Sequence, residues 1–77
     1  MIEKGTVLEV AADTPETYLV VERIEKVGRN EKGWLCLYMN AIIEKGIENI
    51  SKYDYWRVTD SYLKMQIARG VIKVINK

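Results

Sequence analysis

The sequence predicts a strand-dominated α+β domain: a small, strongly bent antiparallel sheet of about five strands, with one short C-terminal helix before the last strand. Three observations carry this. Of the 37 apolar side chains among 77 residues, 17 are Val or Ile, and branching at Cβ favours strands over helices. Polar turns separate short apolar runs. Only residues 60–70 combine a helix-starting residue, a run of good helix formers and a terminal glycine.

Thr6 to Val10 reads as the first strand. Residues 11–16 form a loop in which Pro15 lacks an amide hydrogen and turns Thr14 away from helical backbone. Thr17 to Val27 is the second strand. Leu19 and Val21 share one face, but Ile24 is apolar on the opposite parity beside charged Arg23. Such a slip marks a bulge or a sharp bend. Gly28 to Gly33 is a polar, glycine-bounded stretch suited to a hairpin tip.

Trp34 to Ala41 alternates most clearly. Leu35, Leu37, Met39 and Ala41 lie on one face, and Trp34, Cys36, Tyr38 and Asn40 on the other. The aliphatic face is the expected core and the aromatic face the expected half-exposed surface. In Ile42 to Lys52, Ile43, Ile47 and Ile50 follow helical spacing, yet Gly46 interrupts them, so a short helix or an irregular loop is expected. Tyr53 to Thr59 returns to strand. Asp60 is the expected N-cap of a helix over 62–69, with Gly70 as its left-handed stop, before a final strand from Val71 to Ile75. A rival reading makes 61–69 a hairpin, with Leu63, Met65 and Ile67 alternating. Sheets of this size remove their exposed edges by closing, as in barrels of SH3-like or OB-like design, and such a barrel is the alternative form expected here.

A chain of 77 residues has room for one small domain, 1–77, which buries only about 60% of its unfolded surface. That leaves little space for a deep catalytic cleft. There is no histidine, so imidazole is absent as base, proton shuttle and metal ligand. Cys36 is the single thiol. It has no imidazole to activate it and sits mid-strand where a small hydrophobe is expected. No metal and no cofactor is expected, because one Cys without His cannot furnish a zinc set and no clustered run of acids suggests a calcium loop. Gly28 and Gly33 have phosphate-loop spacing, but Trp34 and Leu35 follow where that loop needs Lys and Ser or Thr. Glu22, Glu25, Asp54 and Asp60 are read as solvated carboxylates, since nothing shows two of them facing across a cleft. The expectation is a non-enzymatic protein.

No apolar run reaches membrane-spanning length, and residues 1–5 lack the apolar core of a signal peptide. With a single cysteine, these features suggest a reducing, cytoplasmic location. On that basis the Asn49-Ile50-Ser51 sequon is read as chance.

The informative positive feature is an aromatic set made only of Tyr and Trp: Tyr18, Trp34, Tyr38, Tyr53, Tyr55, Trp56 and Tyr62. Both residue types are enriched at protein interfaces and stack on nucleobases. Charge is uneven: residues 1–31 carry a net −3 and residues 32–77 a net +4. Lys52 and Arg57 interleave with Tyr53, Tyr55 and Trp56. These observations predict an adaptor- or inhibitor-type binding module for a protein partner. Trp34, Tyr38, Tyr53, Tyr55, Trp56, Arg57 and Lys52 are its candidate contacts. The alternative is a single-stranded nucleic-acid binder using the aromatic and basic residues of 51–77, where Lys64, Arg69, Lys73, Lys77 and Tyr62 join those just named. A pI near 7.8 is far from the strongly basic balance, above about 9, that marks nucleic-acid domains. Homo-oligomerisation through an unclosed edge strand is a further expectation.

Overall fold

The computed structural model describes residues 2–76. Five strands form one antiparallel sheet: β1 (Val7–Val10), β2 (Glu16–Val27), β3 (Glu31–Tyr38), β4 (Tyr55–Thr59) and β5 (Ile72–Val74). Their spatial order is β4-β3-β2-β1-β5. The sheet is open. β4 and β5 are its two edges, and no ladder joins them, so closure into a barrel is not realised among the described residues.

β2 and β3 form the long hairpin. Gly28 turns it with φ 70°, a conformation that L side chains rarely adopt. The expected parity slip is present. The β2–β3 register shifts between Val20 and Glu22, and again between Ile24 and Val27. Before the first shift, Tyr18 and Val20 lie opposite Tyr38 and Cys36; after it, Arg23 lies opposite Trp34. One extra residue thus moves Arg23 onto the face that Val20 occupies.

That face is the core, and it is the opposite of the one expected. Leu8, Val20, Cys36, Val58, Leu63 and Ile72 are buried together, with Tyr18, Trp34 and Trp56 packed against them. Leu35, Leu37 and Met39 are only half-buried. The reason lies in the second helix, α2 (Asp60–Ala68). It lies against β3, β4 and β5 and brings Leu63 and Ile67 onto the Trp34–Cys36 side of the sheet. Alternation shows that two faces differ, but not which one a later helix will cover.

The segment 60–68 is helical, so the hairpin reading fails. Leu63 and Ile67, one turn apart, pack inward, while Met65 is exposed. The cap is Thr59 rather than Asp60: the Thr59 hydroxyl accepts the Tyr62 amide at 3.1 Å. Gly70, at φ 81°, stops the helix as expected. The β3 strand ends earlier than the alternation suggests. Asn40–Lys45 is a short helix, α1, with Ala41 buried. Its side-chain carbonyl at Asn40 accepts the Thr17 amide. Gly46 ends α1 at φ 85°, so Ile43 and Ile47 form no buried stripe and are 88% and 71% exposed. Two 3₁₀ turns, Ile47–Asn49 and Lys52–Asp54, lead into β4. Tyr53 therefore sits in a turn and not in the strand.

Candidate functional site

The structure divides the candidate contacts among four places. Tyr38, Tyr18, Trp56 and Tyr62 form a continuous aromatic cluster on the helix side of the sheet. Ring centroids are 5.4 Å apart for Tyr18–Tyr38, 5.0 Å for Tyr18–Trp56 and 5.9 Å, edge to face, for Trp56–Tyr62. These are the offset and edge-on separations that aromatic quadrupoles favour. The Tyr18 hydroxyl donates to Glu16 at 3.1 Å. Burial, with this bond second, pushes its pKa up to about 12. Trp34 lies apart from the cluster, beneath Arg23.

Tyr55 and Arg57 point to the opposite face, because alternate residues of β4 change sides, and both are exposed. Lys52 and Tyr53 precede them in the second 3₁₀ turn. This turn is held by a reciprocal cap. The Ser51 hydroxyl accepts the Tyr53 amide, and the Asp54 carboxylate accepts the Ser51 amide at 2.9 Å. Lys45 of α1 also reaches Asp54 at 2.9 Å. The Ser51 amide and then the Lys45 ammonium hold the Asp54 carboxyl below the usual carboxylate range. Tyr53, 84% exposed, is thus a projecting ring on a fixed turn, with the Lys52 ammonium 5.3 Å from its centre.

The backbone of β4 adds what the side chains alone do not supply. The Met39 amide donates to the Thr17 carbonyl, so Met39, Leu37 and the like-facing residues of β3 aim their backbone groups at β2. Tyr38, Cys36 and Trp34 then aim theirs at β4. Their partners in β4 are Trp56 and Val58. Tyr55, Arg57 and Thr59 accordingly turn their backbone groups away from the sheet. The Tyr55 amide is returned to the Lys52 carbonyl. The Arg57 amide and carbonyl, the Tyr55 carbonyl and the Thr59 amide face outward. Beside them is a groove of about 290 Å³ lined by Trp56, Arg57, Val58, Thr59 and Tyr62.

Tyr62, a member of the aromatic set but not among the candidate protein contacts, is the further contributor to this groove. Its signal was the helix start directly after β4, since the first turn of such a helix must fold back beside the strand's edge. Cys36 is fully buried, and burial pushes its thiol up to about 11, so it carries no thiolate near neutral pH. Among the described residues, no group of three or more Cys, Asp or Glu side chains is arranged to hold a metal ion, and no helix is long and apolar enough to cross a membrane. Comparison with protein-family models, curated proteins and solved structures finds no match to this chain.

Proposed function

We propose that the protein is a binding module that takes an extended segment of a protein partner as an added strand along β4. The observation that carries this reading is the free backbone edge of β4 beside the Trp56–Tyr62 groove. An added strand gains main-chain hydrogen bonds from the edge and side-chain selectivity from flanking pockets. Alternate side chains of the segment would meet the aromatic groove on one side and Tyr55 and Arg57 on the other. Arg57 and Lys52 lie along this edge without a carboxylate partner among the described ion pairs. They favour a segment bearing acidic residues.

The test is selection from an unbiased library of displayed peptides, followed by titration of amide chemical shifts. Selected peptides should be strand-forming and acidic, and should shift Arg57 and Thr59 most. Arg57→Pro removes an outward amide without breaking a bond to β3, a position where an edge strand tolerates proline. It should abolish binding while the fold persists. A mixed single-stranded oligonucleotide should leave tryptophan fluorescence unchanged. Quenching by the oligonucleotide, weakening steeply with salt, together with no selected peptide, would transfer the site to nucleic acid.

A further inference from the structure

The β4 edge is closed at both ends, and the closures fix how much of an added strand it pairs. At the start, the Tyr55 amide is spent on the Lys52 carbonyl. At the finish, Thr59 is the cap of α2, and a cap's carbonyl accepts the first bond inside its own helix. Between these ends the edge offers the Tyr55 carbonyl, the Arg57 amide and carbonyl, and the Thr59 amide. In an antiparallel ladder both Arg57 groups pair with one residue. The Tyr55 carbonyl and the Thr59 amide then pair with the residues two places to either side of it. A segment of about five residues therefore uses the whole edge. A parallel segment would reach the same groups only through slanted and slightly weaker bonds, and every ladder of this sheet is antiparallel.

We infer that the partner segment runs antiparallel to β4, with an acidic residue opposite Arg57 and an apolar residue on each side of that acid. This rests on the edge reading proposed above and narrows it to one register. The central side chain stands directly opposite Arg57 and on the same face. Arg57 is exposed and belongs to none of the described ion pairs. On its inner side it faces Leu35. Glu22 lies beyond Leu35, two strand spacings or roughly 10 Å away. Tyr55 and Thr59, its neighbours along the same face, are uncharged. The selection for an acid therefore falls on the central position. The side chains before and after the acid turn to the helix side, opposite Val58 and Trp56 respectively. There the groove lined by Trp56, Val58 and Tyr62 takes them.

The same geometry disfavours a second copy of β4 as the occupant. The self-pairing that uses all the edge groups sets Arg57 opposite the same residue of the copy. Like charges directly opposite destabilise a ladder.

Selection from displayed random pentapeptides with Gly-Ser flanks, run on the wild type and on Arg57→Glu, tests the inference. The wild type should enrich apolar–acidic–apolar segments. Arg57→Glu should enrich apolar–basic–apolar segments in the same frame. In the tightest wild-type peptide, replacing the central acid by lysine should weaken binding to the wild type about tenfold and strengthen binding to Arg57→Glu. A nitroxide at the peptide's N-terminus should broaden the Ser61 amide more than the Tyr53 amide, and one at its C-terminus should do the reverse. Should Arg57→Glu fail to fold, Arg57→Gln should lose the acidic preference and keep the apolar one. Peptides that shift the Arg57 and Thr59 amides yet lack a central acid, ignore the charge reversal or run the other way overturn the inference and leave the edge reading standing. No peptide from either selection overturns both.

Discussion

The Arg23 guanidinium lies 4.8 Å from the centre of the Trp34 ring and donates to both carboxylate oxygens of Asp60, at 2.7 and 2.8 Å. Arg23 reaches this position only because the bulge after Val20 turns it to the helix side. The Asp60 carboxylate is the first residue of α2, where it also complements the helix dipole. One side chain therefore links β2, β3 and the start of α2.

Arg23 is the first cause of the depressed pKa of Asp60. Its stabilisation is fully present above the unfolded carboxyl value of about 3.9 and is lost as pH falls through the lower folded value. Asp60→Asn should therefore flatten the acid limb of stability below about pH 4. Both partners are partly exposed, so the loss near neutral pH should be at most about 1 kcal/mol. Urea denaturation at pH 7 and pH 3 measures both effects. Identical acid limbs in the two proteins would remove the link.

The two faces of the sheet should respond differently to truncation. Leu8 is fully buried beneath α2, and Leu8→Ala should cost about 2–5 kcal/mol. Leu37, half-buried on the face away from α2, should cost about 1 kcal/mol when changed to Ala, mostly through cross-strand contacts. Trp34→Ala should resemble Leu8→Ala, because it uncovers the core and leaves Arg23 without its ring. Denaturation at low concentration separates the two groups. A larger loss for Leu37→Ala than for Leu8→Ala would reverse the faces.

Much of the chain's local order is legible in the sequence, and the reason is local. The parity slip around Ile24, the glycine at 28 and the helix with its stop at Gly70 each depend on neighbouring residues. The β3 alternation also reads correctly as two distinct faces. Its burial does not, because Leu63 and Ile67 decide it from nearly thirty residues away. Strand closure is likewise a property of how far β4 and β5 lie apart, which no short pattern records. For the candidate site, Tyr55 and Arg57 are recognisable from residue type. The outward backbone of β4 follows only from the ladder's phase, and Tyr62 joins it only through the Thr59 cap.

Gly33 shows the same limit at one residue. In sequence it closes the hairpin tip; in the structure it is a buried residue of β3. A Cβ there would collide with the Val58 carbonyl of β4 and with the Val27 side chain. The carbonyl is backbone and cannot swing aside. Gly33→Ala should force β3 and β4 apart and destabilise by about 1–3 kcal/mol, whereas Gly5→Ala meets no neighbouring atom and bears only the strain of φ 90°. Thermal unfolding of the two variants compares them, and equal melting temperatures to the wild type in Gly33→Ala would show that the strands yield freely.

Cys36 should make the fold sensitive to alkali. Its folded pKa is raised to about 11 by burial, while an unfolded thiol ionises near 8.5. Above the unfolded value the denatured chain releases the proton and the native chain keeps it. The native state then binds more protons, so stability falls as pH rises, and the decline continues until the folded thiol ionises as well. Tyr18, raised to about 12, extends the same trend from the ordinary tyrosine value near 10. Cys36→Ala should lower stability near neutral pH, because it leaves space in the core, yet show a shallower decline between about pH 8.5 and 10.5. The thiol should also resist a disulfide reagent in native buffer and react at once in denaturant, since the thiolate is the reactive form. Urea titrations at pH 7 and pH 10, with thiol labelling alongside, check both. Rapid labelling of the native protein at neutral pH would show that Cys36 is not enclosed by β2, β4 and α2 as described.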